Sequence, residues 1–160
     1  MAEKHFTLAE IYDTAIRIER NASAFYGNAI GKAPDAAMKQ RLQSLADMEK
    51  DHERIFTRMR ESLGTEQTAP LVDKSNEMYS LIETGEKLYG YEGKAGPDRE
   101  LGGDEDKQRL LRYALDAEEH TVELYSAIKQ YSDSDGDKEK IEKIIQEERK
   151  HIATIKELIG

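Results

Sequence analysis

Two short motifs set an acid and an imidazole three residues apart: Glu49 and His52 in "EKDH", and Glu148 and His151 in "ERKH". Residues three apart on a helix share a face, so each motif can present a carboxylate oxygen and a ring nitrogen in one direction. That donor set, oxygen and nitrogen without sulfur, suits iron or manganese, with zinc a frequent substitute. A single such pair is weak evidence in a chain where 33 of 160 residues are acidic. A second, matched copy carries far more weight.

Both motifs sit where acids are rare. At about 100° per residue, Ile141, Ile144, Ile145, Ile152, Ile155, Leu158 and Ile159 form one apolar stripe, with Glu148 and His151 at its centre. Leu42, Leu45, Phe56 and Met59 frame Glu49 and His52 in the same way. An ionised carboxylate buried without a partner costs several kcal/mol, so burial here demands a compensating charge.

An internal repeat at an offset of 99 residues links the motifs. It lays "ERNASAFY", Glu19 to Tyr26, over "EEHTVELY", Glu118 to Tyr125, as well as "EKDH" over "ERKH". The elements carrying these segments read as helices: periodicity is helical throughout, there are three prolines, and runs of alternating β-branched residues are absent. A first helix is expected from Thr7, as N-cap, to the "GKAPDA" break, and a second from about 35 to 63, stopped by Gly64. A weaker helical segment follows at 71–89. The loop "GYEGKAGPDRELGGDED" comes next, then a helix at about 106–131, the turn "SDSDGD" and a last helix at about 137–159.

These helices make two antiparallel hairpins, about 7–63 and 106–159, joined by a connector at 64–105. Pro34 lies midway between Glu19 and Glu49, and Asp133 midway between Glu118 and Glu148, each inside a turn. Residues equidistant from a hairpin turn lie at one height, here about 22 Å from the turn at 1.5 Å per residue. If the hairpins face each other, four carboxylates and two imidazoles meet at one depth. Two divalent cations would neutralise the four negative charges and make burial tolerable. The expected architecture is an all-α four-helix bundle with a long crossover, forming one domain over residues 1–160.

Composition narrows the chemistry. There is no cysteine, which excludes disulfides, zinc–thiolate and iron–sulfur sites and thiol catalysis. A net charge of −9 disfavours nucleic acid and anionic membrane surfaces as partners. The N-terminal "MAEKHFTLAEIYD" has no signal-peptide character and no stretch approaches a membrane span, so a cytoplasmic protein is expected.

At the six positions Glu19, Glu49, His52, Glu118, Glu148 and His151 the chain resembles the rubrerythrin-like branch of the ferritin-like di-iron family, whose pattern is a Glu on each of two helices and Glu-x-x-His on each of two others. The resemblance spans both hairpins, about two thirds of the chain, and includes Tyr26 and Tyr125, each seven residues after the first Glu of its repeat. It implies that the four-helix bundle is ferritin-like, that Glu19 and Glu118 are terminal ligands, Glu49 and Glu148 bridging ligands, and that His52 and His151 each bind one of two iron ions. Tyr26 and Tyr125 would be hydrogen-bond partners of those ligands in the catalytic centre. Two departures stand out: Thr121 occupies the position where rubrerythrins usually carry a further Glu, and no cysteine-ligated rubredoxin domain is present.

The resemblance implies an oxidoreductase that reduces H2O2 or O2 with electrons from a separate donor protein, in a homo-oligomer, dimer or larger. The alternatives are a ferroxidase feeding an iron store, which needs a cage of many subunits, and a non-enzymatic metal-binding bundle. The remaining histidines, His5 and His120, are expected to be solvated. The apolar residues of 71–89 are expected to pack on the bundle or on another subunit.

Overall fold

The computed structural model describes residues 4–31, 33, 35–64, 71–73, 77–89, 104–132 and 135–160. Helix α1, Leu8–Ile30, begins at the expected cap. The Thr7 hydroxyl accepts from the Glu10 amide at 3.1 Å and the Glu10 carboxylate accepts from the Thr7 amide at 2.8 Å, a reciprocal box that satisfies two otherwise orphaned donors. Helix α2, Ala36–Glu61, is capped by Asp35, whose carboxylate accepts from the Met38 amide at 2.8 Å. Arg58 and Arg60 lie in its last turn, where they face the negative end of the helix dipole.

Helices α3, Glu77–Tyr89, α4, Asp104–Tyr131, and α5, Asp135–Ile159, complete the set. Two boundaries move outward from the expected ones. Helix α4 takes in Asp104 and Glu105, and α5 takes in Asp135 and Gly136; an acidic first turn is favoured at the positive end of a helix, so α5's aspartates extend it rather than break it. The remainder of the expected loop, 90–103, and the midpoints Pro34 and Asp133 lie outside the described residues.

One segment departs from the all-helical expectation. Leu71–Asp73 does not open α3 but forms strand β2, antiparallel to β1, Lys4–Phe6, in the register Lys4↔Asp73, His5↔Val72, Phe6↔Leu71. The physical reason is a pairing partner 65 to 69 residues away in sequence. Local periodicity cannot see such a partner.

Helix α1 lies along α2 and α4 along α5, giving the two hairpins. They meet through α2 against α5 and α1 against α4, while α3 rests on α4 and α1. The core between them holds Ile11, Ile18, Leu42, Phe56, Leu124, Ile128, Ile141 and Ile155, all buried. The stripe of α5 is buried through Ile155, but Ile152, Leu158 and Ile159 are half-buried at its edge and end. His120, expected in solvent, is half-buried and its Nε2 lies 2.8 Å from the Leu81 carbonyl, which ties α4 to α3. Tyr12 closes the far end: its hydroxyl lies 3.0 Å from Ser132 Oγ and donates to Asp137 at 3.2 Å. Among the described residues no helix is long and apolar enough to cross a membrane.

Candidate metal centre

The four central helices each bring acids to the same depth. Helix α1 carries Glu19, α2 Glu49 and His52, α4 Glu118, and α5 Glu148 and His151, and none of the six is more than 2% exposed. Both rings turn Nδ1 toward the carboxylates. His52 Nδ1 is 2.8 Å from Glu148 Oε1, 3.2 Å from Glu49 Oε2 and 3.6 Å from Glu19 Oε2. His151 Nδ1 is 3.0 Å from Glu148 Oε2, 3.1 Å from Glu49 Oε1 and 3.9 Å from Glu118 Oε1. The rings stack with centroids 5.7 Å apart and planes 20° apart.

Two overlapping quartets result: Glu19, Glu49, His52 and Glu148, and Glu49, Glu118, Glu148 and His151. Within each quartet one donor atom per residue lies within 4.8 Å of all the others. Glu49 and Glu148 belong to both. Each of them places one oxygen on the histidine of the opposite hairpin and the other toward the histidine of its own helix.

Those second oxygens decide whether a cation fits. Glu49 Oε2 and Glu148 Oε2 are buried and make no hydrogen bond, although each lies within 3.2 Å of an Nδ1 on its own helix in a poor orientation. A buried carboxylate oxygen without a partner is costly, and here two such atoms lie one in each quartet's reach, each beside the ring nitrogen of its own helix. Cations bound there would satisfy both atoms at once, so the donor set fits a pair of divalent ions.

Protons do part of the cations' work in the protein alone. Burial, then the neighbouring Glu148 and Glu19, pushes the Glu49 carboxyl well up from its usual range. Burial, then Glu148 and Glu49, does the same to Glu118. Burial works against the charged imidazole of His52, but Glu19 and hydrogen bonding to Glu148 outweigh it and raise its pKa. At His151 burial is likewise outweighed, first by Glu148. Glu148 is the exception: burial would raise it, yet hydrogen bonds from His151 and His52 pull it down and keep it ionised.

The tyrosines cross between hairpins. Tyr26 donates to Glu118 Oε1 at 2.5 Å and Tyr125 donates to Glu19 Oε1, so each phenol holds the outer carboxylate of the other repeat. Both rings are buried. Thr121 is buried too, donating to the Ala117 carbonyl at 2.9 Å, and Glu123 is exposed and takes no place at the centre.

Two further neighbours of the rings carry no signal of their own in the sequence. Glu147 Oε2 lies 2.7 Å from His52 Nε2 and Met48 Sδ lies 3.3 Å from His151 Nε2. Each sits beside a stripe-centre Glu, and the repeat makes them equivalent, but only the facing of α2 and α5 shows that they reach the opposite ring.

The fold of the bundle has a counterpart among solved structures. A crystal structure of a candidate ferritin-like diiron-carboxylate protein from Thermotoga maritima superposes with a TM-score of 0.74, covering 99% of this chain and 97% of that one. The fold is ferritin-like. Sequence identity over the ferritin-like bundle is 20%, and the sequence matches no family model and no curated protein.

Proposed function

We propose that this chain is a non-haem di-iron oxidoreductase of the rubrerythrin-like kind, reducing H2O2 or O2 with electrons from a separate donor protein. The observation that carries this reading is that Glu49 and Glu148 belong to both quartets, each with a buried oxygen lacking a hydrogen-bond partner. The ferritin-like diiron-carboxylate description of the Thermotoga maritima protein supports it.

Glu19 and His52 would hold one ion and Glu118 and His151 the other, with Glu49 and Glu148 common to both quartets. When bound, a pair of ferrous ions supplies two electrons to one small oxidant, with manganese or zinc as possible occupants of the same ligands. The chain's own contribution is positional. Tyr125 and Tyr26 fix the orientation of Glu19 and Glu118 through their phenol protons. Burial of all six donors excludes bulky substrates, which suits an oxidant as small as O2 or H2O2. We propose that electrons arrive from a partner protein docked on a homo-oligomer, since these residues include no cysteine to ligate a second redox centre.

Anaerobic loading with ferrous iron, then stopped-flow mixing with H2O2 and with O2 in parallel, tests the reading. Rapid oxidation of two irons per chain, repeated on addition of reductant, is expected. Iron uptake far beyond two per chain in a large assembly would mark storage instead, and a loaded protein inert to both oxidants would mark a binding bundle.

A further inference from the structure

The symmetry between the hairpins breaks just outside the six central residues. Positions 48 and 147 are equivalent under the 99-residue offset, yet one is methionine and the other glutamate. Glu147 Oε2 lies 2.7 Å from His52 Nε2, and Met48 Sδ lies 3.3 Å from His151 Nε2. Both rings face the carboxylates with Nδ1. A cation on Nδ1 therefore leaves an Nε2–H that donates to a carboxylate in one half and to a thioether in the other.

These acceptors differ in kind. A carboxylate is charged and accepts strongly, whereas a thioether is neutral and accepts weakly. An imidazole N–H held by a carboxylate makes the other ring nitrogen a more basic ligand. Glu147 also brings one more negative charge to the His52 half. The other partners are matched across the repeat: Tyr125 on Glu19, Tyr26 on Glu118, and Glu49 and Glu148 common to both halves.

We infer, resting on the two-metal reading above, that the halves of the centre are inequivalent: the half formed by Glu19 and His52 fills first and binds firmly, and the half formed by Glu118 and His151 holds the exchangeable ion. Glu147 and Met48 are positioning residues that set this order through the two rings. Outer partners of this type change metal affinity by about 10–100-fold, which is the separation expected between the two binding steps.

Metal-free full-length protein titrated anaerobically with Co2+, followed by calorimetry and by the paramagnetically shifted Nε2–H resonances of the two histidines, tests the order. Wild type should bind in two steps about 10–100-fold apart, with the His52 proton shifted in the first. Glu147→Gln keeps the side-chain shape and should weaken the first step toward the second. Met48→Glu should strengthen the second step toward the first, a gain that loss of packing would not produce. Two equal steps in wild type, a first shift at His151, or a separation unmoved by both substitutions would overturn the inference while leaving the two-metal centre standing. Absence of Co2+ uptake would overturn both.

Discussion

The Tyr26 hydroxyl donates to Glu118 Oε1 at 2.5 Å, joining residues 92 positions apart on different hairpins. Deleting that donor leaves a buried carboxylate short of a hydrogen bond while Phe preserves the ring packing against Phe25. Tyr26→Phe is therefore expected to fold normally and to weaken binding of one metal ion by about 10–100-fold. An equilibrium titration with ferrous iron or Co2+ measures it, and full affinity in the variant would reduce the phenol to a packing role.

The paired quartets lead to a stoichiometry of two ions per chain, read by elemental analysis after reconstitution with iron. Replacing both shared residues, Glu49→Ala with Glu148→Ala, removes a member from each quartet twice over and should bring the ratio close to zero. A double variant that still retains two ions would show that the metal sits elsewhere.

Metal should also stabilise the fold, because it binds the assembled quartets and not the unfolded chain. A thousandfold excess over Kd adds about 4 kcal/mol. Melting curves of a verified loaded sample before and after chelation should differ by several degrees, with the chelated protein lower.

Raising the pH should destabilise the metal-free protein. Glu49 and Glu118 have pKa values above their ordinary 4.5, and His52 and His151 above their ordinary 6.5. The folded state therefore keeps protons that the unfolded chain releases. The stability these four groups contribute is greatest below their unfolded pKa values and is lost as pH climbs toward the folded ones. Glu148, held below 4.5, acts oppositely and only at more acid pH. A melting temperature that falls between about pH 5 and pH 8 without metal is expected, with metal affinity rising over the same interval as ligand protons are displaced more easily. A flat or rising metal-free profile would contradict this.

Under the proposed rubrerythrin-like function, oxidant preference is expected to turn on position 121. Thr121 stands where rubrerythrins usually carry another Glu, a residue associated with movement of iron between carboxylate and histidine as the redox state changes. Here the side chain donates to its own helix at Ala117 and offers no carboxylate. The expected result is a reaction faster with H2O2 than with O2, and a wider rate ratio in Thr121→Glu. Stopped-flow rates for both proteins, each confirmed to hold two irons, decide it; an unchanged or smaller ratio removes the missing acid as the explanation.

The bundle and the meeting of its six central residues are legible from the sequence because two signals act together: apolar stripes fix which faces are buried, and the 99-residue offset fixes which depths correspond. Neither signal reports on contacts whose partner is set by three-dimensional facing. Strand β2 needed residues 4–6 before Leu71–Asp73 could leave a helical pattern. His120 needed the Leu81 carbonyl of α3, a backbone acceptor that no side-chain pattern reveals. Glu147 and Met48 read as ordinary flanking residues until α5 and α2 are placed against each other.

Each quartet borrows one member from across the hairpin boundary. The first hairpin gives Glu19, Glu49 and His52 to its own quartet and takes Glu148; the second gives Glu118, Glu148 and His151 and takes Glu49. A lone hairpin is thus a half-built vessel, three walls of four, and two such halves complete each other by exchanging one acid apiece. A chain half this length, carrying a single copy of the repeat, would have the means to build the same chamber by self-association, with the loan made between molecules instead of within one.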